Sequence, residues 1–167
     1  MIAKPDRRTS MLLVLAGMVF AIVAVQLFEH VGGYIPCQLC LQQREPYYAA
    51  IPLGALALAG VWLKWPSYVV RCLMAAVALL LLYTMVLGGY HSGVEWGWWT
   101  GPADCGATAG NISTNVGDLL GDLSATRPPS CTEAAGRFLG LSFAGWNFLA
   151  AAAMALLAAR AVMLPSR

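Results

Sequence analysis

The sequence predicts an all-α membrane protein, a four-transmembrane-helix bundle with two outward loops. Three observations carry this expectation. Of 167 residues, 59% are hydrophobic and only 11% charged; a soluble domain runs about 45–50% apolar and about 25% charged, so the default class is a polytopic membrane protein. The apolar residues fall in four runs of near-spanning length. The basic residues gather in alternate connections rather than evenly.

The helices are expected at about 11–28, 46–63, 72–90 and 143–164, in one integral-membrane domain over 1–167. Lys4, Arg7 and Arg8 precede a chargeless run from Met11 to Phe28. A bilayer core needs about 20 apolar residues of helix, with about 17 as a lower bound. A basic head before an apolar run also marks signal peptides, but this run is longer than their usual apolar core and lacks a clear A-x-A site. It reads as an uncleaved first span. The polar connection 29–45 follows, then a run from Pro46 to Leu63 with Pro46 and Pro52. Pro46 suits a helix start, where its missing N–H is harmless; whether the helix begins there or near Pro36 stays open. Lys64, Trp65, Pro66 and Ser67 form a turn before the third run, Cys72 to Tyr90. Cys72 reads as a small buried hydrophobe.

The long connection 91–137 opens on Trp96, Trp98 and Trp99, residues typical of a membrane–water interface. Within it Val116, Leu119, Leu120 and Leu123 recur at helical spacing, which fits a short amphipathic helix on the bilayer or a plain surface helix. Lys4, Arg7, Arg8, Lys64, Arg71, Arg160 and Arg167 flank one side of the predicted bundle; Arg44, Arg127 and Arg137 lie in or beside the other two connections. Positive residues favour the cytoplasm, so both termini are expected there and both loops outside. The net charge of +2 speaks against a nucleic-acid partner.

Four of the five cysteines, Cys37, Cys40, Cys105 and Cys131, fall in the outward connections. Disulfides persist on an oxidising side. The bland reading is two structural staples. For Cys105 with Cys131 that is plausible, since closing a loop of about 25 residues stabilises by roughly 3 kcal/mol. For Cys37-x-x-Cys40 the loop is tiny, and the spacing suits a reducible bond better than a clamp. Arg44 lies one turn past Cys40 if that stretch is helical, and a fixed cation lowers a thiol pKa. His91 closes the third run; it reads as an interfacial cap or as a donor to a bound polar ligand, with His30 as its rival. Zinc on the four cysteines is a minor alternative, and no metal is expected. Without a G-x-G-x-x-G opening a helix or a C-x-x-C-H, a quinone is the natural acceptor for two electrons leaving a dithiol in a membrane.

Pro36-Cys37-x-x-Cys40, then Arg44, His91, Cys105, Cys131 and Phe138-Leu139-Gly140-Leu141 leading to Trp146, resemble the disulfide bond formation protein B family over nearly the whole chain. The resemblance implies a bacterial inner-membrane enzyme whose Cys105–Cys131 pair accepts electrons from a periplasmic DsbA-like thiol oxidase. It further implies that Cys37–Cys40 reoxidises that pair, that Cys40 faces the quinone (ubiquinone or menaquinone), and that Arg44 and His91 lie beside the ring. Gln43 stands where some relatives have an acidic residue and receives no role. The alternatives are a non-enzymatic tetraspan protein with braced loops, and a paralogue dedicated to one client oxidase.

Overall fold

The computed structural model describes residues 6–102 and 130–165. Among them the regular structure is four helices and one minimal hairpin: α1 (Arg7–His30), α2 (Gln38–Trp62), α3 (Ser67–Glu95), β1 (Arg137–Phe138), β2 (Leu141–Ser142) and α4 (Phe143–Met163). Cys105 and the expected short helix around Val116 to Leu123 lie outside the described residues.

Each start has a local cause. Asp6 caps α1 by accepting the Thr9 N–H at 3.0 Å, and Ser142 caps α4 by accepting from Gly145. Lys64 takes a left-handed φ of 56° between α2 and α3, while the Trp65 N–H returns to the Gly60 carbonyl. The β1–β2 turn sets Leu139 and Gly140 at φ 51° and 83°, the two-residue hairpin geometry that usually calls for asparagine or glycine.

The second helix begins at Gln38, not at Pro46. Cys37 is its N-cap, so Cys40 and Arg44 belong to the helix rather than to a loop. Pro46 and Pro52 both sit inside it; lacking N–H groups, they leave the carbonyls four residues back without helical donors. The third helix runs from Ser67 to Glu95, so His91 lies within its last turns rather than in the connection.

The helices pack in a ring: α3 against α2 and α4, α1 against α2 and α4. Met11, Val14 and Met18 of α1 meet Tyr47, Ala50 and Ala57 of α2, Met74, Val77 and Leu81 of α3, and Ala155, Ala158 and Ala161 of α4 in one core. Gly88 lets α3 and α4 close: a Cβ there would stand 3.1 Å from the Phe148 nitrogen. The outer face is apolar, with Phe20 74% and Leu156 73% exposed. A soluble monomer does not carry such a continuous surface. Three of the helices (α1, α3 and α4) are long and apolar enough to cross a membrane among the described residues. α2, at 25 residues, is long enough but less apolar, because Gln42, Gln43, Arg44 and Glu45 and then Pro46, Tyr47, Tyr48 and Pro52 lower its hydropathy. Cys72 lies exposed on α3 instead of buried: the bundle turns that position outward, where an apolar surface accepts a small thiol as readily as a core does.

Candidate functional site

A second, smaller cluster of buried side chains occupies one end of the bundle, where the α2 N-terminus meets the last turns of α3. It contains Cys37, Leu39, Val94 and Cys131, with Cys40 and Tyr90 against it. Cys37 is extended, with φ −79° and ψ 170°, and its sulfur accepts the Cys40 N–H at 3.4 Å as the helix cap. One turn of helix then brings the Cys40 sulfur over it, at 3.0 Å. Both are free thiols, so the pair is not acting as a brace here. The sulfur–sulfur hydrogen bond is the largest cause holding the Cys37 thiol down, to about 4; burial opposes it, and His91 and the Cys40 N–H add to it.

His91 is 3% exposed. Its Nε2 lies 3.6 Å from the Cys37 sulfur and 3.8 Å from Glu95 Oε1. Its Nδ1 lies 2.8 Å from Gln43 Nε2. Gln43 in turn takes a hydrogen bond from Asn147 at 2.6 Å, and Asn147 takes one from the Tyr47 hydroxyl at 2.8 Å. Glu95 Oε2 is buried without a hydrogen-bond partner among the described residues. The rival His30 is exposed at the end of α1.

Cys131 is disulfide-bonded and fully buried. Its sulfur, the Cys37 sulfur and a His91 ring nitrogen all lie within 4.8 Å of one another. A disulfide sulfur is not the thiolate that zinc needs, so this trio fits exchange chemistry better than metal binding. A cleft of about 310 Å³ lies over the sulfurs, walled by Tyr34, Ile35, Glu133 and Phe143. Arg44 sits one turn past Cys40, but its Nη1 is paired with Glu29 Oε2 of α1 at 2.5 Å. It bridges two helices as well as standing near the dithiol.

Thus Cys37, Cys40, His91 and Cys131 converge, Arg44 lies beside them in an ion pair, and Cys105 is outside the described residues. The sequence reading missed Gln43, Asn147, Tyr47 and Glu95. Asn147 carried a usable signal: it is the one amide in the last apolar run, and polar residues inside membrane helices are functional candidates by default.

The family model for disulfide bond formation protein DsbB matches residues 7–161, which takes in the site and all four helices except the last two residues of α4. The chain belongs to the DsbB family. Membership makes it a membrane protein of disulfide bond formation, an oxidoreductase class that the free dithiol beside a disulfide suits. It is also similar to the uncharacterized protein RP370 of Rickettsia prowazekii (strain Madrid E), 28% identical over 152 residues, which is 87% of this chain and 83% of that protein. No solved structure matches it.

Proposed function

We propose that this member of the DsbB family is a thiol:quinone oxidoreductase of the bacterial inner membrane that reoxidises a periplasmic DsbA-like dithiol oxidase. It spans the membrane four times, with both termini in the cytoplasm and the sulfur cluster outside. The observation that supports this most is the placement of a thiol held near pKa 4, Cys37, within 4.8 Å of the disulfide-bonded Cys131.

Electrons enter when a partner thiolate attacks the Cys105–Cys131 disulfide; a mixed disulfide forms and resolves, leaving the partner oxidised and Cys105 and Cys131 as thiols. The Cys131 thiolate then attacks the oxidised Cys37–Cys40 pair at Cys37. A new Cys131–Cys37 bond forms, and the electron pair of the broken bond stays on Cys40. Attack by Cys105 on Cys131 closes the outer disulfide again and returns Cys37 as a thiolate. The described arrangement, free Cys37 and Cys40 beside a disulfide-bonded Cys131, corresponds to that point of the cycle. The two electrons now have to leave the inner pair.

A quinone suits this position. Arg44 hydrogen-bonds through Nη1 alone among the described residues, which leaves guanidinium donors for a carbonyl oxygen one turn from Cys40. When bound, a quinone supplies a two-electron, two-proton acceptor. The chain's own part is to keep Cys40 beside Arg44, to stabilise the Cys37 sulfur as it gains charge, and to bury Cys37 from water.

The test is quinone reduction by purified protein in detergent, with ubiquinone or menaquinone and a reduced DsbA-like dithiol protein, followed by quinone absorbance. The wild type should turn over and Cys40→Ser should not. A wild type that exchanges thiols but never reduces either quinone would overturn the proposal.

A further inference from the structure

The buried amides behind His91 make a directed series of hydrogen bonds whose polarity can be worked out. The Gln43 terminus facing Leu39 meets a backbone carbonyl at 3.2 Å. A carbonyl only accepts, so that terminus is the NH₂ group. The same nitrogen lies 2.8 Å from His91 Nδ1, and with its second hydrogen it donates there. Gln43 Oε1 then faces Asn147 Nδ2 at 2.6 Å, and Asn147 Oδ1 takes the Tyr47 hydroxyl at 2.8 Å. Reversing Gln43 would set its oxygen against the Leu39 carbonyl and its nitrogen against the Asn147 nitrogen, two donorless or acceptorless contacts in a buried site. His91 Nδ1 is therefore an acceptor, and a neutral ring must carry its proton on Nε2.

We propose that Gln43, held by Asn147 and Tyr47, is a positioning residue that keeps the ring proton of His91 on Nε2, facing the Cys37 sulfur. Its part in turnover rests on the dithiol chemistry proposed above. When Cys105 attacks Cys131 and the Cys131–Cys37 bond breaks, the electron pair stays on the Cys37 sulfur, and the Nε2–H at 3.6 Å stabilises that charge. No proton changes place; the ring only has to present the correct nitrogen. The titratable groups and sulfurs facing Cys37 from its surroundings are Tyr34 on the connection before α2, Cys40 on α2, His91 and Glu95 on α3, and Glu133 and the non-titrating Cys131 on the 130–135 segment; α4 contributes only Phe143 and Ala144 to the cleft.

The test is ¹⁵N NMR of the full-length, histidine-labelled protein in micelles, with His30→Gln used to assign the two histidines. In the wild type near neutral pH, Nδ1 of His91 should be bare and Nε2 protonated. Gln43→Leu and Asn147→Leu should turn the ring into a tautomer mixture. In Gln43→Leu the midpoint for alkylation of Cys37 should rise by about one pH unit, the tenfold change one charge-assisted hydrogen bond supports. The isosteric Gln43→Glu, which keeps the packing if the leucine variants do not fold, should put a proton on Nδ1. A protonated Nδ1 in the wild type, or ring signals and Cys37 midpoint unmoved in every variant, overturns the assignment while leaving quinone turnover standing. The assigned tautomer in a protein without quinone turnover supports the bond series and removes the function proposed above.

Discussion

At Cys37 a single sulfur accepts a backbone N–H as helix cap, shares a hydrogen bond with Cys40 and faces the His91 ring. All three contacts favour the anion. The lowered pKa means that the reactive thiolate exists above about 4 and is lost as the pH falls through that value. Alkylation of Cys37 in the reduced protein, read from its peptide by mass spectrometry, should therefore stay fast at about pH 6, where an ordinary thiol of pKa about 8.5 is almost wholly protonated. In denaturant the midpoint should return to about 8.5, since helix and neighbours are gone. A native midpoint near the denatured one would refute this electrostatic account. Glu95 works against it. Its Oε1 competes for the same Nε2–H at 3.8 Å. Glu95→Gln should move the Cys37 midpoint further down, by up to about one unit; an upward move would show that the carboxylate supports the thiolate through His91 instead.

Among the helices, α3 and α4 make the most extensive contact, and Gly88 is a point of close approach between them. A Cβ there meets Phe148 backbone nitrogen and Cα at 3.1 and 3.2 Å, and backbone does not step aside as a flexible side chain does. Gly88→Val should lower the melting temperature in detergent, with a loss of about 1–3 kcal/mol; an unchanged melting curve would show that the two helices can separate freely. Element boundaries explain what the sequence could and could not disclose. Apolar runs located the α1, α3 and α4 spans, because chargeless stretches of that length have few other uses. The start of α2 was ambiguous because two prolines, Pro36 and Pro46, both resemble helix starts. The true cap is a cysteine, which no capping rule favours. The amides behind His91 were illegible for a different reason. Gln43 and Asn147 are 104 residues apart, and only the ring of packed helices makes them neighbours.

Over the whole molecule, the basic turn of Lys64 and Arg71 and the dithiol lie at opposite ends of α3. Cys72 lies in the first turns of α3, beside Arg71 and after Lys64; His91, with the dithiol against it, lies in the last. Nineteen residues of helix span about 28 Å at 1.5 Å each, close to the roughly 30 Å of a bilayer's hydrocarbon core. The basic end should face the cytoplasm, which sets the sulfur cluster where disulfides survive. The two thiol sites make this orientation measurable. Cys72 is exposed and Cys40 half-buried, so a small membrane-impermeant methanethiosulfonate reaches each from its own side only. Applied to reduced inverted vesicles it should modify Cys72 and spare Cys40; applied to spheroplasts it should do the reverse. Modification of Cys72 from the outer face would place the dithiol in the reducing cytoplasm, where an inner pair handed electrons by a periplasmic oxidase has no partner to meet, and the proposed direction of electron flow would fail with it.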